Sequence, residues 1–440
     1  MALSALAARA KPPLFAVFLP YRRRKKGSVL LITLLKKNRM FCGLLIYQVF
    51  SGLGGGIFRL FMLLTVHLLY ENPIYTGIAS FLMMAPHFFA FAVGPVIDRA
   101  NKVNAMRLTT LIEFIAIGLL VLMSFLDTLS VWVLFVTILC YTVAQVFEAP
   151  SGEAFLRKIV DDDEIMRANS LISIAATVGG LIIAALLFGA LGEGVSHTYI
   201  YALSAIFIVL AFMTTFFLKD RKTEGVQKEQ IFKKYLAELK EGASFVQRTN
   251  FLLYFLIAGI AVSFFLDVAY TNLPEFATTH IGAQGFVVIT VVMLSAGLFS
   301  STLAGLVGDK FRVGVLICLV WIVAGSLRIG FAYVLPMSYI GGLVINFVYG
   351  IILGFSGMIR RTLIQKTPSE NMVARVNTVN TTFTALFGAA GALAGGVIGS
   401  VVSSVHHVFI LQGAVYVLIG MFLFFAPSIR KLPKINEIKN

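Results

Sequence analysis

The chain has 440 residues, 58% of them apolar and only 13% charged, against roughly 25% charged in a soluble domain. That excludes an ordinary cytosolic globule: at about 21 apolar residues per crossing there is room for about twelve transmembrane helices and little else. The net charge of +15 would raise nucleic acid as a partner in a soluble protein, but no basic-aromatic binding module is present.

The first 39 residues carry ten basic and no acidic side chains. Their apolar patch at 14–19 precedes the basic run at 22–26, the reverse of a signal peptide. The segment therefore reads as a polybasic arm against anionic headgroups, with an organellar transit sequence as the lesser alternative. Apolar stretches follow at 40–69, 74–97, 106–126, 129–147, 168–191 and 198–218, then a polar stretch at 219–250. Six more lie at 251–273, 286–307, 313–335, 338–358, 376–402 and 408–426. Each is long enough to cross about 30 Å as a helix, and the alternation that a barrel strand needs is absent. In the polar stretch Ile231, Phe232, Tyr235, Leu236 and Leu239 share one helical face, which predicts an interfacial helix. The predicted organisation is an arm (1–39), a six-helix bundle (40–218), a linker (219–250), a second six-helix bundle (251–426) and a tail (427–440).

Of the 36 lysines and arginines, 34 fall in the two ends, the linker and alternate connections, all on one side; the opposite connections carry none. This predicts a multi-pass protein of the cell membrane with both ends and the linker cytoplasmic. Cys42, Cys140 and Cys318 lie inside apolar stretches without metal-ligand spacing, so neither a disulfide framework nor a zinc site is expected. No phosphate loop, metalloprotease motif or nucleophile elbow occurs, so an enzyme reading has no support and energy must come from an ion gradient rather than from ATP bound within the chain.

The two halves repeat. Gly94 to Arg99, Gly-Pro-Val-Ile-Asp-Arg, returns as Gly305 to Lys310, Gly-Leu-Val-Gly-Asp-Lys, at an offset of 211. Arg167-Ala-Asn-Ser-Leu returns as Arg375-Val-Asn-Thr-Val at an offset of 208. Two distinct motifs at equivalent boundaries indicate a parallel six-plus-six duplication. With these motifs the chain resembles the major facilitator superfamily of secondary transporters from residue 40 to 426. Gly94, Asp98, Arg99 and Lys102 are in register with that family's loop 2–3 signature, although Asn101 and Val103 depart from the small and basic residues usual there. The paired Arg-x-Asn segments and the run from Glu241 to Val246 look more like the macrolide-efflux and enterobactin-export branch.

The resemblance implies an all-helical membrane fold of twelve spans in two pseudo-symmetric bundles, working by alternating access. It also implies a cytoplasmic gate formed by Gly94, Asp98, Arg99, Lys102, Gly305, Asp309 and Lys310, with Arg167 and Arg375 at the repeated boundary. Solvated loop charges would account for either set alone but not for the repeat. Within the spans, Arg59 and Asp267 are 208 residues apart, at symmetric positions on helices that face each other in this family. They are expected to pair across a central cavity, or else each to snorkel or find another partner. Glu113, His87 and Arg328 complete the predicted substrate or proton pathway, with Glu113 and Asp267 as the proton carriers and Glu148 assigned to the cytoplasmic charge network. The expected activity is proton-coupled export of an amphipathic drug or siderophore by a monomer with no cofactor, its partners being lipid, substrate and protons. A lipid or lysolipid flippase, or a non-transporting sensor or scaffold, stands as the alternative.

Overall fold

A computed structural model of the chain describes residues 38–89, 93, 96–97, 100–161, 164–177, 180, 196–220, 231–307, 311–368, 370–434 and 437. The first half contains α1 (Arg39–Tyr70), α2 (Pro73–Met84), α3 (Lys102–Phe125), α4 (Val131–Ile159), α5 (Ile165–Thr177) and α6 (His197–Thr214). A connecting helix α7 (Ile231–Arg248) leads into α8 (Asn250–Thr271), the short α9 (Leu273–Ile281), α10 (Ala283–Val307), α11 (Val313–Met337), α12 (Tyr339–Lys366), α13 (Glu370–Val401) and α14 (His406–Phe425). In hydrocarbon every backbone polar group must be paired within the segment, which is why these apolar runs become helices. Short polar residues mark several starts. Asn38, Asn72 and Asn101 each accept a hydrogen bond from a first-turn amide at 2.9–3.0 Å, and Ser130 and Ser338 do so at 3.4 and 3.2 Å, relieving donors that have no intrahelical partner. Asn101, one of the departures from the family signature, is thus the cap of α3.

Among the described residues nine helices are long and apolar enough to cross a membrane. The other three expected spans are α2, α5 and α10. After Met84, α2 tightens into a 3-10 helix over Ala85–Phe89. Pro86 lies in that turn, and its missing amide removes a bond that an α-helix would need. The remainder of the span following α5 lies outside the described residues, and α10 has an apolar run only from Ala283 to Gly297.

The apolar core divides by side. Away from the chain ends, one cluster joins both halves: Phe58, Phe61 and Tyr201 with Phe276, Phe331 and Phe409. Toward the chain ends the clusters stay within one half, Phe41, Tyr47 and Phe155 in the first and Phe255, Trp321 and Leu423 in the second. Across the joined side, His67 Nε2 lies 3.1 Å from Thr278 Oγ1. There α2 crosses α13 backbone to backbone: a Cβ on Gly77 would stand 2.8 Å from Gly396 Cα. The two glycines permit this approach because neither carries a side chain.

Candidate functional site

Two clusters of polar groups stand out inside the helical bundles among the described residues. In the first half, α1, α3 and α4 bring together Tyr47, Ser51, Thr110, Glu113, Gln145 and Glu148. Glu113 is 0% and Glu148 4% exposed. Gln145 Nε2 donates to Glu113 Oε1 at 2.6 Å and to Glu148 Oε2 at 2.5 Å. Glu148 Oε1 accepts from Tyr47 at 2.5 Å and Ser51 at 2.7 Å, and Tyr47 also meets Thr110 at 2.9 Å. Of the four carboxylate oxygens, only Glu113 Oε2 has no hydrogen-bond partner. Two buried acids are thus tied through a single amide with no cation in hydrogen-bond contact, an arrangement whose charge state is set jointly by the pair. Glu148 therefore does not belong to the charge network at the loop side. α4 runs on to Ile159, which places Glu148 three turns inside the helix rather than at its end.

Arg59, one turn beyond Gly55 on α1, is exposed and lies within electrostatic reach of Glu113, His87, Tyr141 and Tyr270. Its Nη2 and the Tyr141 hydroxyl both flank Gly55. Asp267, on α8, is half-buried against Gly388 of α13. Arg59 and Asp267 form no ion pair in this conformation. His87 lies exposed in the 3-10 turn.

In the second half, Arg328 is 4% exposed. Its Nε donates to Gln412 Oε1 at 2.7 Å and its Nη1 to Asn346 Oδ1 at 3.5 Å. The guanidinium stands 4.9, 4.7 and 4.9 Å from the ring centroids of Phe331, Tyr349 and Phe409. Gln412 Nε2 in turn donates to Tyr416 at 3.1 Å, and Tyr416 to the Val262 carbonyl at 3.1 Å. The structure thus places Arg328 in an aromatic cage between α11, α12 and α14. Tyr349 is within electrostatic reach of both Arg328 and Asp267.

Of the expected gate, Gly94, Asp98, Arg99, Asp309 and Lys310 lie outside the described residues, and Arg167 and Gly305 fall within α5 and α10. Lys102 is described. Its Nζ donates to the carbonyls of Ile97 at 2.7 Å and Ala100 at 3.0 Å, and its amide to Asp220 Oδ2 at 2.7 Å. Asp220, which sequence reasoning passed over, also pairs with Lys158 at 2.9 Å, so it gathers the ends of α3, α4 and α6 within one half. Arg375 pairs with Glu241 of α7, where Gly242 lets the two backbones close. This contact docks the connecting helix onto α13.

The profile of the Major Facilitator Superfamily matches residues 44–392. The chain belongs to that superfamily. It is 22% identical over 363 residues to Macrolide efflux protein A of Streptococcus pyogenes, covering 81% of this chain and 88% of the relative. Among solved structures, the fold is similar to the nucleoside transporter NupG, with a TM-score of 0.65 at 15% identity over 88% of this chain and 99% of that one. The inward-open xylose transporter XylE from E. coli superposes with a TM-score of 0.64 at 12% identity, over 91% and 98% of the two chains. The protein is a multi-pass membrane transporter with the major facilitator fold, and not an enzyme.

Proposed function

We propose that this facilitator exports amphipathic small molecules of the drug or siderophore class across the cell membrane in exchange for protons, by alternating access. The observation that carries the proton part is the buried pair of Glu113 and Glu148 joined through Gln145. Two negative charges in a dry bundle are costly, and one proton shared by the pair relieves that cost. Arg59 is exposed and within electrostatic reach of Glu113, so a proton held at the pair is felt at Arg59. Asp267 supplies a third carboxylate, on the opposite half, and the Arg59–Asp267 contact is one that forms when the halves rock the other way. With the basic loops and chain ends cytoplasmic, the conformation described, joined on the side away from those ends, faces the cytoplasm and is the one that loads cargo for export. The relative named for macrolide efflux supports the direction and the cargo class. Lys102, Arg167 and Arg375 with the two loop signatures form the cytoplasmic gate in the opposite conformation.

The test is extrusion of a panel of amphipathic dyes, macrolides and siderophores from pump-depleted cells, with and without a protonophore. Wild type is expected to extrude at least one class, and a protonophore, Asp267→Asn or Glu113→Gln is expected to abolish it. Extrusion that survives all three sinks proton exchange.

The flippase reading is favoured by one feature. A groove of about 500 Å³ with an almost wholly apolar lining opens beside the 3-10 turn of α2, between Phe81, Pro86 and Phe89 on one wall and Leu139, Val143 and Phe147 on the other. An acyl chain fits that chemistry. No extrusion across the panel, together with protein-dependent movement of a fluorescent lysolipid, would select it.

A further inference from the structure

Within the second half, α8, α11, α12 and α13 line a partly open cavity of about 270 Å³. Its walls are apolar, with Phe255, Ile317, Trp321 and Leu353, and its polar face carries Arg360 with Ser356 and Thr384. Arg360 lies on α12 six residues before Lys366, about 9 Å from the helix end at 1.5 Å per residue. Its guanidinium is laid over α8: a Cβ on Gly259 would stand 3.2 Å from Nη1, so the glycine makes the room that the arginine occupies. Arg361, one residue on, is exposed and does not line the cavity.

None of the side chains lining this cavity is acidic, and among the described residues Arg360 forms no ion pair. The charged group that acts on it is another cation, Arg361. Arg360 is half-buried, and a guanidinium held at an apolar wall without a counter-ion contributes little to stability. It is a good recognition device: its fork of donors matches carboxylate and phosphate, and the rings beside it take an apolar body. We infer that this chamber binds amphipathic anions, with the acidic group on Arg360 and the apolar portion against Trp321 and Phe255. This deepens the export reading and rests on it for the role of the site, because it makes the cargo an acid rather than a cationic drug.

Trp321 is one of two tryptophans in the chain, lines the cavity and is 7% exposed. Full-length protein carrying Trp132→Phe, in phosphatidylcholine nanodiscs, therefore reports on the chamber through Trp321 alone. Titration with 11-bromoundecanoate is expected to quench saturably, whereas 11-bromoundecylammonium at the same concentrations leaves the emission unchanged. Arg360→Gln should raise the Kd for the acid at least tenfold, Arg360→Lys should recover part of the loss, and Arg361→Gln should leave it within twofold. An unchanged emission maximum of Trp321 checks that each variant keeps the fold. Replacing a third of the lipid by phosphatidylglycerol separates two sources of the anion: a raised apparent Kd marks a lipid phosphate as competitor, an unchanged one marks a free acid. Equal quenching by acid and ammonium, no quenching by the acid, or an Arg360→Gln variant that binds as wild type would overturn the assignment. Loss of proton coupling in the cell assay would leave this result standing, so the two readings fail separately.

Discussion

The two bundles descend from one repeat yet bury charges of opposite sign. The first holds two carboxylates on one amide with a single oxygen left over; the second holds one guanidinium on two amides and three rings. The acidic cluster is open-ended, because Glu113 Oε2 still has capacity for a proton. Around Arg328 the contacts are closed: hydrogen bonds and aromatic faces surround the charge. A duplicated fold can thus set a changeable charge at one buried cluster and a fixed charge at the other, and only the changeable one is suited to coupling.

Breaking the fixed charge should have the largest effect on stability. Arg328→Ala removes two hydrogen bonds from a charged donor and three ring contacts, a loss of about 3 kcal/mol. It should appear as a thermal midpoint lower by several degrees in detergent, and Arg328→Lys should recover little because an ammonium has no planar fork. Unchanged melting of Arg328→Ala would erase the contrast between the halves. In the first half the expectation reverses: Glu113→Gln keeps shape and the acceptor used by Gln145, so stability should shift by about 1 kcal/mol or less while protonophore-sensitive extrusion is lost. A destabilisation as large as that of Arg328→Ala would make Glu113 a structural residue instead.

A third change acts on the seam between the halves. Gly396→Val adds a side chain where Gly77 and Pro73 leave none, so it should disfavour the conformation described. Cross-linking of His67→Cys with Thr278→Cys, at a site where the native side chains meet at 3.1 Å, should fall severalfold in that background. The smallest effect is expected at the Arg375–Glu241 pair, whose side chains are 35% and 56% exposed. Arg375→Gln should cost below about 1 kcal/mol, measurable as faster proteolysis within α7 if at all.

That the chain is an all-helical membrane protein of this superfamily was legible in the sequence because lipid thickness and repeated motifs act on the linear order of residues. Side-chain direction was not. Arg59 and Asp267 could be matched in depth by their offset, but each residue turns about 100° around its helix, and equal depth does not make a contact. Glu148 looked like a helix-end charge because the apolar stretch stops at 147, whereas α4 continues to Ile159 and buries it. Asp220 was passed over because it stands just beyond the last apolar stretch of the first half, where a charge reads as an ordinary loop residue. Arg360 was counted among the loop bases for the same reason as Glu148: hydropathy ended before the helix did.

The division of the apolar core has a thermal consequence. The seal away from the chain ends is made of aromatic and aliphatic surface shared by both halves, while the clusters at the other end close within each half. Parting the seal exposes that surface, and exposed apolar surface carries a positive heat capacity. Hydrophobic contact also weakens on cooling, so temperature alone should tilt the resting balance, with cold favouring the conformation in which the shared seal is open.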